Sequence, residues 1–524
     1  MANEGEDAMT DGTSGNPQRA DAAALTTARP AAALSRHWGR GIARSLAFAA
    51  ASIGLVASAA AADLPAFVKA PPVMPDLTWH GITIFGAYDI AGQYESNGAP
   101  YNGSAYSSAG IISPFNRGPQ WVLAPNQSIQ SFIGVKVDEK ITDQLHVIAR
   151  LEMGFNPTTG EISDTLKSMQ KANGIPLNQQ YVNGDGPRAG QVLNGEAWAG
   201  FEEKTWGTLH VGRNNAVSAD MLFAYDPLSS YGFSLFGYVG ILGGGGSSET
   251  VRVDQSIKYL NKWGPIRVEA MYGNPNTNTK EFYQGSIGLV DLNYSVDVVA
   301  GHASDLVSSS ALAGPANLGS QFLGARVSDA DTVGVFGKYV FDLGRNGLRD
   351  PNESRFTLSG GVSRIEFSNP SDGGWAPGHT TIGGYQIGPA FATNGSSAAG
   401  IVNYAYTGGN RVLIASFIAG KYQYDAQWSA ALAYYRYDQK SYGLGVNGLP
   451  GIVAPSFSTQ ACSSSSYINC AGGEQVVSFR VDYDWTKNLK LYGGLAYSKV
   501  DGGFAFSYLK TSEFAPTVGM RLTF

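Results

Sequence analysis

Along most of the chain apolar residues recur at every second position. In "ITIFGAYDIAGQY", Ile82, Ile84, Gly86, Tyr88, Ile90 and Tyr94 share one side, while Thr83, Phe85, Ala87, Asp89, Ala91 and Gln93 share the other. "LHVIARLEM" sets Leu145, Val147, Ala149, Leu151 and Met153 against His146, Ile148, Arg150 and Glu152. "QVVSFRVDYDW" sets Val477, Phe479, Val481, Tyr483 and Trp485 against Ser478, Arg480, Asp482 and Asp484. Side chains alternate across a strand, so each run predicts a strand with one apolar and one polar wall. The same reading predicts strands near 78–95, 128–138, 143–155, 194–202, 207–214, 252–260, 264–273, 284–294, 296–304, 331–341, 354–367, 409–423, 427–439, 473–485, 488–499 and 512–524.

Alternation alone also suits a soluble sandwich. The connections decide between the two. Short turns ("NKWGP", "WTKN", "DEKIT") alternate with long loops rich in Gly, Ser, Asn and Pro, which is how transmembrane antiparallel barrels are built, with an even number of strands and tight turns at the periplasmic end. The expected fold is therefore all-β: a transmembrane barrel of about sixteen strands, spanning residues 77–524. The chain ends in "TVGMRLTF", with Val518, Met520, Leu522 and Phe524 on one side and Thr517, Gly519, Arg521 and Thr523 on the other. In lipid an unpaired sheet edge leaves N–H and C=O groups unsatisfied, so this last strand is expected to pair with the first. Phe524 matches the C-terminal signature by which barrels of this kind are recognised by their insertion machinery, an expected partner during biogenesis alongside outer-membrane lipid.

Composition agrees with strands and turns: Gly 67, Tyr 27 and Phe 24, with charged residues at 15%. The formal net charge is -6 and no Lys/Arg run is present, so nucleic acid is not an expected partner. Near the amino end, "RHWGRGIARS" supplies positive charge, "LAFAAASIGLVASA" a short apolar run and "AAAAD" a small-residue cleavage site, the pattern of a secretory signal peptide over 36–62 cleaved near Ala61 or Ala62. Residues 1–35 show no periodicity and read as a polar extension of the kind an over-long gene model produces, and 63–76 read as the mature N-terminal segment. The two cysteines, Cys462 and Cys470 in "CSSSSYINC", read in an exported protein as a local disulfide stapling a long loop.

"SFIGVKVDEKITDQLHVIARLEMGFNPTTGE" followed by "EAWAGFEEKTWGTLHVGRNNA", and "YDPLSSYG" followed by "RVDQSIKYLNKWGPIRVEAMYG", resemble the early strands, third loop and next hairpin of the general bacterial porins of Gram-negative outer membranes. "DLPAFVKAPP" is similar to the mature start of alphaproteobacterial porins. The resemblance implies a sixteen-stranded homotrimeric channel for ions and small hydrophilic solutes, its third loop folded inward, with no cofactor. It also implies a constriction that sets basic wall residues against acids on that loop. Lys136 and Arg150 fall on the polar parity of neighbouring strands, and Arg213 sits in "VGRNN" where the family carries a wall arginine. Asp220 and Asp226 are the expected loop acids, with Glu249 behind them. Asp89, Glu152, Lys258, Arg267, Glu269, Arg480 and Asp482 are expected to face the lumen. Two departures stand out: Phe132 replaces a basic residue at the start of the second strand motif, and Glu196 stands before "AW" where a basic residue is common. Arg213 also shares parity with Leu209 and Val211, so it reaches the lumen only if Gly212 permits a bulge.

Enzymatic signatures are missing. There is no G-x-S-x-G elbow and no H-E-x-x-H, and the six histidines are scattered (His37, His80, His146, His210, His302, His379). "GLGVNG" and "GGGG" read as loop glycines without a following helix. A second reading is a substrate-specific channel or ligand-binding barrel, with an aromatic track such as Tyr434, Tyr435 and Tyr437 suited to sugar stacking.

Overall fold

The structure is a computed structural model. It describes residues 77–104, 110–164, 167, 171, 177–181, 191–236, 251–273, 281–308, 324–344, 352–368, 381–382, 385–386, 401–403, 409–442, 470–505 and 508–524. The expected extension, signal peptide and mature start, Cys462, Glu249 and the two glycine clusters lie outside these residues.

Sixteen antiparallel strands close on themselves. They are β1 (Ile82–Gly98), β2 (Gly118–Pro125 continued as Phe132–Lys140), β3 (Leu145–Gly154), β4 (Ala197–Glu203), β5 (Gly207–Asn215), β6 (Arg252–Trp263), β7 (Ile266–Gly273) and β8 (Glu281–Val290), then β9 (Tyr294–Ser308), β10 (Gly324–Asp342), β11 (Arg355–Ser368), β12 (Arg411–Gln423), β13 (Trp428–Gln439), β14 (Gly472–Asp484), β15 (Leu489–Gly502) and β16 (Ser512–Thr523). Each pairs with its sequence neighbour, and β16 returns to β1 with Ala87 opposite Thr523 and Gln93 opposite Thr517. At the join Gly86 N donates to Phe524 O at 3.0 Å and Phe524 N to Gly86 O at 3.1 Å. No strand edge is left facing lipid along this seam, as the expected pairing of last strand with first requires. Gly86 is needed here because a Cβ would sit 2.5 Å from the Phe524 ring and 2.7 Å from Phe132 O.

At one end six of the joins are two to four residues, at 141–144, 204–206, 264–265, 291–293, 424–427 and 485–488, and the join at 343–354 is longer. Longer connections, 99–117, 155–196 and 216–251 among them, lie at the other end. The outward positions carry Ile84, Ile133, Leu151, Val211, Ile257, Ile287, Val335, Val362, Ile418, Leu432, Phe479 and Met520, all exposed. An apolar belt of this extent belongs against hydrocarbon. Exposed aromatics edge it on both sides: Trp206, Trp263, Tyr339, Tyr424, Trp428 and Trp485 at the short-turn end, and Trp121, Tyr272, Tyr283 and Tyr497 at the loop end. Rings with one apolar body and one polar handle settle at such interfaces.

Three details differ from the periodic reading. The second strand begins ten residues earlier, at Gly118, and is broken at 126–131 by an insertion folded into the barrel. Asp89 holds that insertion: its Oδ1 accepts from Gln127 N at 2.9 Å, its Oδ2 from Ser128 N at 3.1 Å, and Tyr492 donates to Oδ1 at 2.7 Å. The hairpin expected to turn at 295 turns at 291–293 instead. The 216–251 connection carries a helix, α1 (Val217–Tyr225), where alternation predicts no regular element.

Candidate functional site

The described interior is divided between a packed side and a polar side, and α1 makes the division. Its residues Val217, Ser218, Ala219, Met221, Leu222 and Tyr225 are buried, which leaves Asp220, Phe223 and Ala224 on one stripe, at the i, i+3, i+4 spacing of a helix face. The buried face is bonded to the wall. Gln284 on β8 accepts from Ser218 N at 3.1 Å, Tyr225 donates to Asp297 on β9, and Lys338 Nζ on β10 donates to Ala224 O at 3.0 Å while lying 5.4 Å from the Tyr225 ring centroid. Arg267 on β7 completes the group by pairing with the same Asp297.

Beyond the helix the chain continues as a strap. Asp226, expected to face the channel, is instead 4% exposed. Its Oδ1 accepts from Leu228 N at 3.0 Å and from the Tyr435 hydroxyl at 2.6 Å, and its Oδ2 from Ser230 N at 3.0 Å and Ser230 Oγ at 3.2 Å. A carboxylate that accepts four bonds organises a turn and ties it to β13, so the structure gives Asp226 the place of a latch. Phe236 then packs on Phe417, Tyr435 and Tyr437, with centroids 5.4–5.7 Å apart, and Phe233 on Tyr492 at 6.3 Å. Arg480 lies 5.7 Å from the Phe233 ring and pairs with Asp482 at 2.9 Å, so both of these inward-facing charges are covered by the strap. Tyr435 and Tyr437 are fully buried beneath it and Tyr434 points outward to Gln475, so the expected aromatic track is not open to a solute.

The polar side is built by β1 to β6. Lys136 stands opposite Arg150 across the β2–β3 ladder, and both lie over Phe85, at 5.9 Å and 4.9 Å from its centroid. Arg150 is shared by two acids, Glu152 through Nε at 2.9 Å and Glu196 at 3.1 Å. Glu196 also accepts from Trp198 Nε1 at 3.0 Å, and Trp198 stacks on His210 at 3.5 Å. On the next wall segment Lys258 is paired with Asp220 of α1, donates to Asn215 O at 3.0 Å and stands 3.8 Å from Glu269. Asp220 acts electrostatically on Arg150 and Glu196 as well, so one field joins the helix to the β3–β4 wall.

Arg213 reaches the interior by the anticipated irregularity. Gly212 has φ +138°, Gln255 on β6 has φ 50°, and the β5–β6 register slips between Gly212 and Asn214. The side chain turns inward to donate to Gly195 O at 3.0 Å and to pair with Asp254, so it braces the wall rather than opposing Asp220. Outside the strands, the Ser104 hydroxyl at 2.8 Å and Lys171 at 3.1 Å hold the Glu161 carboxyl below its ordinary range and tie the 99–117 loop to the 155–196 loop. Cys470 is buried, and Gln439 donates to its carbonyl at 2.9 Å.

The sequence reading therefore placed Lys136, Arg150, Glu152, Asp220, Lys258, Arg267 and Glu269 on the inner face. It passed over Trp198, His210, Phe223, Tyr225 and Asp297. Parity would have pointed Trp198 and His210 inward. Among the described residues no group of three or more His, Cys, Asp or Glu side chains could hold a metal ion.

A family model described as Gram-negative porin matches residues 47–503. No curated protein sequence matches the chain. Among solved structures, the chain is similar to an anion-selective porin from Comamonas acidovorans, with 13% identity and a TM-score of 0.51, covering 84% of this chain and 99% of that one. OmpT, an outer membrane protein of Vibrio cholerae, gives 12% identity and a TM-score of 0.46, covering 84% and 97%. The likeness to the Comamonas porin, at 13% identity, speaks for the fold alone.

Proposed function

The chain belongs to the Gram-negative porin family, whose members are channels rather than enzymes, and on that premise we propose how it conducts. It is an outer-membrane porin that forms a water-filled path for ions and small hydrophilic solutes. The path runs along the polar side of the barrel, between the Asp220 stripe of α1 and the wall that carries Lys136 and Arg150. Opposed charges across a wet, narrow passage make a transverse field that orders water and sorts solutes by size, dipole and charge. No bond is made or broken. Arg150 divides its charge between Glu152 and Glu196, and Asp220 is met by Lys258. Among the described residues Lys136 has no ion-pair partner, so it is an uncompensated cation on the wall of the passage.

The observation that carries this reading is α1 itself, bonded into the lumen by Gln284, Asp297 and Lys338, with Asp220 left unburied and paired to Lys258 of the wall. Planar-bilayer recording tests it. Discrete ohmic steps that scale with bulk conductivity and do not saturate support a general diffusion channel. Block by one solute at low concentration would replace it with a substrate-specific channel. Assembly as a homotrimer belongs to the same proposal, because the apolar outer wall offers a surface that copies of the chain could share around a symmetry axis.

A further inference from the structure

Lys136 and Arg150 stand directly opposite one another on the inner face of the β2–β3 ladder, and like charges set opposite on one sheet face repel. Both charges ride on long, flexible stems. Without a common anchor the two side chains would swing apart into the lumen water, and the positive potential of the wall would have no fixed place.

What they share is a ring. Phe85 on β1 stands opposite Gly134 of β2, and its ring lies over that glycine: a Cβ at 134 would be 2.7 Å from two of the ring atoms and 2.9 Å from Leu151 O, so only glycine leaves the seat open. Phe132, two residues earlier on β2, meets the ring edge-on, with centroids 5.5 Å apart and planes at 70°. The aromatic residue that replaces a base at 132 therefore props the seated ring from the side. The Arg150 guanidinium is 4.9 Å and the Lys136 ammonium 5.9 Å from the Phe85 centroid, within the distance of about 6 Å over which the negative face of a ring attracts a cation. Arg150 is fixed a second time, by Glu152 and Glu196. For Lys136, with no acid paired to it among the described residues, the ring is the anchor.

Granted a passage along this wall, we propose that Phe85 is a positioning residue for its ion selectivity: the ring, seated on Gly134 and propped by Phe132, holds the Lys136 ammonium beside the Arg150 guanidinium at one depth of the channel. A side chain without charge then decides where the positive potential of the wall falls. Replacing Phe85 leaves the net charge and both cations in the chain, so a change in selectivity that follows has to come through where those cations lie.

The test is the reversal potential across a tenfold KCl gradient for Phe85→Leu and Phe85→Tyr, each made in the parent and in a Lys136→Gln, Arg150→Gln background. If the freed ammonium retreats from about 8 Å to about 12 Å from a passing ion, Phe85→Leu should move the permeability ratio toward cations by about twofold in dilute salt and by almost nothing in molar salt. Phe85→Tyr keeps the ring face and should keep the parental ratio. In the background that lacks both cations Phe85→Leu should add no shift, because the ring has nothing left to hold. Three results would overturn the proposal and leave the passage where it is: parental potentials for Phe85→Leu in dilute salt, an equal shift for Phe85→Tyr, or a Phe85→Leu shift that persists undiminished without the two cations. Parental potentials for the Lys136→Gln, Arg150→Gln variant itself would instead remove the passage from this wall, and the proposal with it. If Phe85→Leu does not fold, Phe85→Met, which fills the space flexibly without a ring face, decides the question.

Discussion

Replacing Lys136 by Gln should turn the channel toward cations by an amount that depends on salt. Lys136 is exposed on the inner face of β2, with its ammonium 5.9 Å from the Phe85 centroid and no acid paired to it among the described residues. An ion passing about 8 Å from a unit charge in water feels roughly 0.5 kcal/mol. With a Debye length of about 30 Å at 0.01 M, nearly four-fifths of that remains, roughly 0.4 kcal/mol. Removing the charge stabilises a cation and destabilises an anion by that amount, so the permeability ratio should move by roughly 0.8 kcal/mol, or about fourfold. At 1 M the Debye length is about 3 Å and the shift should fall to about 1.1-fold. Lys136→Glu should double the exponent, giving about fifteenfold in dilute salt. Reversal potentials across a tenfold KCl gradient, centred first on dilute and then on molar salt, provide the measurement. Lys499→Gln, on the outward face of β15, is the control and should leave them unchanged. Parental reversal potentials for Lys136→Gln in dilute salt would mean that Lys136 lies off the conducting path and that the passage is elsewhere in the lumen.

Asp226→Asn should loosen the strap without unfolding the barrel: single-channel current should become noisy, and Tyr435→Phe should show the same noise more weakly, whereas quiet parental current in both would refute the latch. Arg150→Gln should also favour cations, by more than Lys136→Gln in dilute salt, because it frees two acids, and a smaller shift would count against the Glu152 and Glu196 pairing. Cys462 and Cys470 should be oxidised to one another, and Ser at both should cost about 2–3 kcal/mol locally while sparing the barrel; two titratable thiols in the unreduced protein would contradict this. The folded protein should migrate on gels as a heat-dissociable trimer, and a monodisperse monomer in mild detergent would sink that assembly.

What could be read from the sequence follows the reach of each interaction. Period-2 patterning is local, so most of the strands, their inward parity and the pairing of β16 with β1 were legible. Arg213 could be placed inside because Gly212 beside it announced the slip in register. The strand at Gly118–Pro125 was hidden because Gly and Pro bound it and its inner face is short. α1 was hidden because "VSADMLFAY" is apolar on nearly every side, and nothing local says that it is wrapped by a barrel wall. Asp226 looked like a pore acid because an acid in a loop ordinarily meets water. What removes it from the channel is Tyr435, more than two hundred residues away in sequence, and no pattern in its own neighbourhood points there.

The same long-range contacts explain how a polar lumen can contain a rigid constriction. A loop held in the channel only by ion pairs would be loosened by the salt it conducts, since charges in open water are screened within about 8 Å at physiological ionic strength. Here the strap is fixed on its far side by Tyr225 on Phe336 and by Phe236 among Phe417, Tyr435 and Tyr437, rings that salt does not screen. The one charge of α1, Asp220, is left on the opposite side with Phe223. Burial on one side of the segment sets its position and charge on the other sets its field. Ionic strength should therefore tune which ions pass while leaving the width of the passage unchanged, so the size cut-off for neutral solutes should be the same in dilute and in molar salt.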